Sequence, residues 1–378
     1  MKKLTTGNLY VGLMSGTSMD GVDCALVSIN ENEIRLVDFI CNEIPKNLKR
    51  ELLRLTTNKL DFKTLGSCDI AIAKLFATTT LEILTKNNLK TTDITAIGSH
   101  GQTIWHQPRQ IDNVYPFTIQ IGDPNTISIL TNITTVADFR RRDMAAGGQG
   151  APIVPAFHRE FFHSSTVNRF ILNLGGISNI TFLPKNKTKP AGLDTGPANV
   201  LMDAWIKKNL NREFDDKGEW ANTGTFSNSL FIELMDEQYF YLPAPKSTGR
   251  ELFNISWIEA KLSKFNLNIA PEDVQATLMA LTVETISREI EKLSETGEIL
   301  VCGGGAQNIA LLDSLQIKLP SFEISSTSNL GIHPDRVEAV AFAWLASKTI
   351  NYETVDFSPF TGAKHPVIAG GIYYQNNV

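Results

Sequence analysis

Apolar positions along the chain come in short runs separated by glycine-bearing polar turns. Leu9–Met14 is apolar, Val22–Ile29 is apolar with polar interruptions, and Ile34–Ile40 follows the turn-like Asn30-Glu31-Asn32. Runs this short, bounded by turn residues, predict three strands. The first two are joined by Ser15-Gly16-Thr17-Ser18-Met19-Asp20-Gly21. Helical spacing follows over 46–57 and 64–87. Short strands are expected at Ile94–Gly98, ending at Ser99-His100-Gly101, at Phe117–Ile121, ending at Gly122-Asp123, and at Ile133–Ala137, ending at Asp138. A short helix is expected at 124–131. Residues 143–156 are rich in Gly, Ala and Pro and read as a loop or domain crossover.

The pattern then restarts. Arg169–Leu174 reads as a strand, Gly175-Gly176-Ile177-Ser178-Asn179 as a tight turn, and Ile180–Leu183 as a second strand. Helical stretches follow near 198–209, 226–237 and 256–265. The clearest helix is 272–293, where Val274, Leu278, Leu281, Ile286, Ile290 and Leu293 form one apolar stripe. Glu298–Cys302 is a strand ending in Gly303-Gly304-Gly305, and helices are expected at 307–316 and 335–349. A hairpin with a glycine-bearing turn thus opens each half. This predicts an α/β fold of two lobes of similar plan with a cleft between them. The expected domains are 1–150 and 151–350, with the tail 351–378 read as short strand or loop that packs back on the first.

Length and composition agree with two ordinary globular domains. The chain has 378 residues, 42% hydrophobic and 20% charged. Its net charge of −5 argues against a general nucleic-acid or membrane-surface binder. The cysteines at 24, 41, 68 and 302 form no CxxC pair, which removes a zinc knuckle or dithiol redox motif and favours a reducing compartment. No signal-peptide or transmembrane run is present in the pattern.

Polar residues gather at the strand ends, where open α/β sheets bind ligands. Glycine turns expose backbone N–H groups that hold phosphate oxygens. Thr17 and Ser18 add hydroxyls, and Asp20 could hold Mg²⁺ directly or through water. Three such turns beside acids favour a nucleotide site. It is neither a P-loop nor a dinucleotide fingerprint, because GxxxxGK[ST] is missing and no GxGxxG follows a strand. GxSxG is also absent. Arg140-Arg141-Arg142 reads either as a solvated turn or as an anion clamp, and Lys246-Ser247-Thr248-Gly249-Arg250 is equally open. His100 is either a hydrogen-bonded loop histidine or a site residue. Asp194, in Gly192-Leu193-Asp194-Thr195-Gly196-Pro197, reads as an acid held in a rigid turn, a candidate general base. Glu338 opens an apolar helix and stands out as a lone acid in its first turn, where the usual role is a dipole partner.

The order of these motifs resembles the sugar kinase, Hsp70 and actin superfamily. Gly12–Asp23 looks like its first phosphate hairpin, Asn173–Asn179 like its second, and Gly303–Asn308 like its adenosine motif. More closely, the chain resembles the anhydro-N-acetylmuramic acid kinase family. The matching blocks include GLMSGTSMDGVD at 12–23, GSHGQTIWHQP at 98–108, QIGD at 120–123 and ADFRRRDMAAGGQGAPIVPAFH at 137–158. They continue with NLGGISNIT at 173–181, GLDTGPANVLMDAW at 192–205, PKSTGRE at 245–251, DVQATLMALT at 273–282, VCGGGAQN at 301–308 and VEAVAFAWLA at 337–346.

The resemblance implies two RNase H-like lobes and a cytoplasmic, ATP-dependent enzyme. Such an enzyme opens the 1,6-anhydro ring of anhydro-N-acetylmuramic acid and phosphorylates O6, with Mg²⁺ accompanying ATP. The rivals are an ordinary hexose or amino-sugar kinase of the same fold and an actin- or Hsp70-like nucleotide switch. The residues carried forward as catalytic are Asp194 and Glu338. The ATP set is Gly16, Thr17, Ser18, Met19, Asp20, Gly21, Val22, Asp23, Gly175, Gly176, Gly303, Gly304, Gly305 and Asn308. The substrate set is His100, Asp123 and Arg140, and Asp20 is the metal candidate. The expected partners are ATP and the anhydro-sugar, with no nucleic acid, no membrane, and a homodimer as the assembly carried forward.

Overall fold

A computed structural model describes residues 7–16, 19–31, 33–56, 61–111, 113–244, 246–264 and 269–376. Thr17 and Ser18, expected among the ATP-binding residues, lie outside the described residues. The chain opens with β1 (Asn8–Ser15), β2 (Gly21–Ile29) and β3 (Ile34–Glu43), paired antiparallel in sequence. Helices α1 (Lys46–Leu55) and α2 (Phe62–Lys86) follow. Asp61 starts α2 by accepting the Lys63 and Thr64 N–H groups. The helices form the crossover that a parallel neighbour requires, and β4 (Ile94–Gln107) lies parallel to β1.

β4 does not end at Ser99-His100-Gly101 as its polar residues suggest. It runs on to Gln107 because β5 (Phe117–Ile121) takes up pairing from Gln102 onward. Gly101, at φ +76°, sits where the strand changes partner. Helix α3 (Pro124–Thr131), β6 (Thr135–Ala137), α4 (Phe139–Ala145) and α5 (Val154–Phe161) complete this stretch.

The second hairpin is β7 (Arg169–Leu174) with β8 (Ile177–Leu183), and β9 (Ala191–Pro197) pairs antiparallel to β8. Asp194 therefore lies on a strand and not in a rigid turn. Gly192, Gly196 and Pro197 look like punctuation, but β9 is an edge strand, where Pro and Gly are tolerated. Helices α6 (Asn199–Leu210), α7 (Asn228–Met235), α8 (Ile255–Leu262) and α9 (Pro271–Glu291) follow, then β10 (Gly297–Cys302), α10 (Ile309–Lys318) and β11 (Phe322–Ser326). The chain closes with α11 (Val337–Ile350), α12 (Ser358–Thr361) and β12 (Gly371–Tyr373).

The chain divides into two compact units, Met1–Phe157 with Arg336–Val378, and His158–Asp335. In the first, the strand order is β12-β6-β4-β1-β2-β3, with β5 against β4; in the second it is β11-β10-β7-β8-β9. Each sheet is an antiparallel three-strand meander whose first strand carries parallel neighbours on its other side. The restart legible in the sequence is thus a shared topology.

The boundary expected at 350 moves to 335, because α11 packs on the first sheet. Gly12 and Gly98 are register partners on β1 and β4. A Cβ at Gly12 would collide with the Ala339 carbonyl oxygen, and one at Gly98 with that of Phe342. Two adjacent glycines let the helix backbone lie directly on the strands. The tail returns too, with β12 antiparallel to β6 and the Tyr373 hydroxyl donating to Asp138 Oδ2 at 2.8 Å. No helix among the described residues is long and apolar enough to cross a membrane.

Candidate active site

In the first unit the β1–β2 turn is braced from β4. The buried Gln102 side chain donates to the Gly16 carbonyl at 3.1 Å, and the Ser15 hydroxyl reaches Gln102 Oε1 at 2.7 Å. Met19 N–H closes the turn on the Gly16 carbonyl at 3.1 Å. Met19 adopts φ +55° and its side chain is sunk in the core, as is that of Val22. These two expected ATP residues therefore offer a ligand only their backbone. Asp20 is exposed and pairs with Lys49 Nζ at 2.6 Å.

The buried His100 pairs with the half-buried Arg140. Arg140 Nε donates to His100 Nε2 at 2.8 Å, so the proton sits on Nδ1, which donates to the Gly101 carbonyl at 2.7 Å. Burial and the Arg140 charge hold the imidazole well below its ordinary value, and it is neutral at physiological pH. Arg140 Nη1 donates to the Gly150 carbonyl at 2.9 Å. Within the basic run Arg140 alone takes this inward position. Arg141 pairs with Asp138 at 3.3 Å, and Arg142 Nε donates to the Gly370 carbonyl at 3.1 Å.

Asp143, which the sequence reading passed over, organises the 147–150 loop. Its carboxylate accepts from Gly150 N–H and from the Thr361 hydroxyl, each at 2.7 Å. Glu338 sits in the first turn of α11. Burial raises its pKa, the Arg140 charge opposes that, and Asp23 adds to it. Asp123, expected among the substrate residues, caps a helix. Its Oδ1 accepts from Asn125 N–H and Nδ2, and its Oδ2 from Thr126 N–H and Oγ1. Burial pushes its pKa up, but these four donors outweigh that and lower it. It is the N-cap of α3.

In the second unit, two glycine turns lie together at the ends of β7 and β10. The Gly175 and Gly176 carbonyls accept the Asn199, Ala198 and Val200 N–H groups at 2.9–3.1 Å, which seats α6 on the turn. Cβ atoms placed on Gly175 and Gly176 would meet the Ile177 carbonyl oxygen at 3.5 Å and Val200 Cβ at 3.6 Å, which is ordinary van der Waals contact, so the turn is not closely overlaid on that side. Gly303, at φ +79°, and Gly305 press on Asn173 and Leu174 at the end of β7, where a Cβ on Gly305 would come within 2.6 Å of Leu174 Cβ. Gly304 faces open space. Asn308, placed in the adenosine motif, spends its Oδ1 capping α10 through Leu311 N–H at 3.1 Å.

Asp194 is held through its backbone on both sides and through one carboxylate oxygen. A bulge shifts the β8–β9 register between Ser178 and Asn179, and Asp194 pairs with Asn179 just beyond it. Its N–H donates to the Lys246 carbonyl at 3.0 Å, and its own carbonyl accepts from the Tyr239 hydroxyl at 2.7 Å. Thr248 N–H donates to Oδ2 at 3.0 Å. Burial raises the carboxyl to about 7; the Thr248 bond works against that and Glu251 adds to it. A carboxyl near 7, with one oxygen oriented by a backbone donor, suits a general base at neutral pH.

The 246–250 segment resolves as an anchored loop. Lys246 Nζ is buried against Glu289 Oε1 at 2.8 Å and over the Tyr239 ring at 5.0 Å. The run of Lys and Arg in the sequence signals charge, but only the fold shows Lys246 turned inward. The sequence pattern points to neither Gln102 nor Tyr239, although Gln102 stands inside a quoted motif, and it leaves the Lys246–Arg250 segment open.

No group of three or more His, Cys, Asp or Glu among the described residues is placed to hold a metal ion. A Mg²⁺ arriving on a nucleotide does not need such a cage, since it keeps waters and takes one or two carboxylates. Asp20 fits that limited role, in exchange for Lys49.

Comparison with known proteins adds a family. A family model described as anhydro-N-acetylmuramic acid kinase matches residues 8–375. A protein of that name from Coxiella burnetii (strain RSA 493 / Nine Mile phase I) is 46% identical over 370 residues, covering 97% of each chain. One from Saccharophagus degradans is 46% identical over 369 residues, covering 97% of this chain and 99% of that one. Among solved structures, an activator of 2-hydroxyisocaproyl-CoA dehydratase from Clostridium difficile with bound ADPNP is similar at 12% identity. Its TM-score is 0.46, with 91% of this chain and 96% of that one covered.

Proposed function

Since this chain belongs to the anhydro-N-acetylmuramic acid kinase family, we propose that it couples hydrolytic opening of the 1,6-anhydro ring to phosphorylation of O6, with Asp194 as the base. Reuse of cell-wall sugars is the general role of this family. The substrate explains why a base of this kind is needed. In an ordinary sugar kinase an acid takes the proton of the attacking hydroxyl. Here O6 carries no proton, because it is bonded to C1.

Asp194 takes a proton from water, and the water oxygen bonds to C1. The C1–O6 bond breaks with its electron pair on O6. O6 then bonds to the γ-phosphorus as the bond to the bridging β–γ oxygen breaks, releasing ADP. The products are N-acetylmuramic acid 6-phosphate, ADP and the proton first held by Asp194. The observation that carries this reading is the Asp194 carboxyl, raised to about 7 and oriented through Oδ2 by Thr248 N–H.

The glycine turns at Gly16–Asp23, Gly175-Gly176 and Gly303–Gly305 supply backbone N–H groups for the nucleotide. Mg²⁺, when bound with ATP, would neutralise phosphate charge, and Asp20 would be its protein carboxylate. His100 and Arg140 are the sugar-binding pair of the first unit. The neutral imidazole and the guanidinium of Arg140 are oriented by each other. Glu338, raised by burial, assists at the sugar. Asp123 is left out of this set, because its oxygens already serve α3.

The test is mass spectrometry of products formed from the anhydro-sugar, ATP and Mg²⁺ in oxygen-18 water, quenched promptly. One oxygen-18 at C1 is expected. Label on phosphate with none on the sugar would mean simple ATP hydrolysis and overturn the coupled mechanism.

A further inference from the structure

Lys246-Ser247-Thr248-Gly249-Arg250 touches the base at one end, and its other end has no role in the reaction as proposed. The buried Lys246–Glu289 pair pins the loop, and main-chain bonds in both directions tie it to Asp194. Two residues past Thr248, the Arg250 side chain crosses the β7–β8 turn. Its Nε and Nη2 each lie 3.9 Å from where a Cβ on Gly176 would stand. The side chain is exposed. Among the described residues its guanidinium has no hydrogen-bond or ion-pair partner.

The carboxyl that feels the Arg250 charge is Asp203 on α6. Burial pushes Asp203 up to about 7, Arg250 pulls it back, and Asp215 and Glu213 add to the rise. Burial thus works against a full negative charge opposite Arg250. An uncommitted planar guanidinium beside a glycine turn matches the oxygens of a phosphate.

We infer that Arg250 is a phosphate-contacting residue for the terminal phosphates of the nucleotide, set over Gly176 by the same loop that holds Asp194. The inference rests on reading Gly175-Gly176 as a phosphate turn. One short loop would then bring base orientation and phosphate charge under a single anchor. An arginine supplied within the chain is a recurrent device for stabilising charge in phosphoryl transfer.

The same fork would also suit the carboxylate of the sugar, so the experiment has separate arms. Wild type, R250A and R250K are titrated calorimetrically with a Mg²⁺-loaded non-hydrolysable ATP analogue, with adenosine and with the anhydro-sugar. The analogue should bind R250A at least tenfold more weakly and R250K at an intermediate strength, with adenosine and sugar unchanged. Unchanged analogue affinity would overturn the inference, as would a loss confined to the sugar or a loss shared by adenosine. Thermal midpoints confirm folding, and should R250A fail to fold, R250Q takes its place. No analogue binding by wild type would instead sink the nucleotide reading itself.

Discussion

Thr248 N–H donates a 3.0 Å hydrogen bond to Asp194 Oδ2 across 54 residues of chain. The bond orients one carboxylate oxygen and favours its charged form, while burial favours the neutral form and wins. A carboxyl balanced in this way changes charge close to neutrality, which is what a base working at neutral pH requires.

Asp194→Asn keeps the size of the side chain and an acceptor for Thr248 N–H, but cannot take a proton from water. General-base catalysis contributes ~10²–10⁴-fold, so kcat should fall by about that amount with both substrates saturating. Turnover within a few-fold of wild type would remove Asp194 as the base and pass the assignment to Glu338.

The same carboxyl sets two pH dependences of known sign. Wild-type kcat/KM should rise as pH increases through about 7, because the base works deprotonated. Stability runs the other way. A folded-state pKa above the ordinary value contributes stability that is full below about 4 and is lost as pH rises through about 7. The thermal midpoint of Asp194→Asn should therefore gain on wild type between pH 5 and pH 8. A constant gap would mean that the carboxyl titrates near its ordinary value.

Gly98→Ala places a methyl group against the Phe342 carbonyl, a backbone atom that cannot rotate away. Overpacking of this kind costs about 1–3 kcal/mol. The helix that carries Glu338 must also lift from β1 and β4. A lower urea midpoint together with reduced kcat is expected, and wild-type values for both would mean that α11 is not held this closely.

Lys246→Met strands the buried Glu289 carboxylate. Removing one partner of a buried pair costs about 3–5 kcal/mol, and the low end is expected here. Glu289 retains Lys292 at 2.9 Å, which offsets part of the loss. The double variant Lys246→Met/Glu289→Leu should recover most of the stability in urea unfolding. No recovery would mean that the lysine acts through something other than the pair.

Gln102→Leu removes the donor that braces the Gly16 carbonyl. Leaving a buried polar group unpaired costs about 1–3 kcal/mol. Nucleotide affinity should fall with the shape of the β1–β2 turn. Unchanged affinity by calorimetry would place the phosphates elsewhere.

Much of this molecule is legible along the chain. The hairpins, the long helices and the glycine turns at strand ends depend on local spacing and on residues with special backbone freedom, and both are written in consecutive positions. The quoted motifs, long and spread over nearly the whole chain, were enough to carry the family.

What the chain could not announce is who holds whom. Asp194 looked like a turn residue because Gly and Pro surround it. It lies on an edge strand, where pairing on one side only tolerates both residues. The sequence could not show that Asp123 and Asn308 cap α3 and α10, since a side chain that can bind a ligand can equally bind a helix N-terminus. His100 and Arg140 are 40 residues apart, and Lys246 and Glu289 are 43 apart. The sequence determined which residues were able to donate, accept and bend. The tertiary fold decided their partners, because burial and charge at each site come from segments that no local pattern brings together.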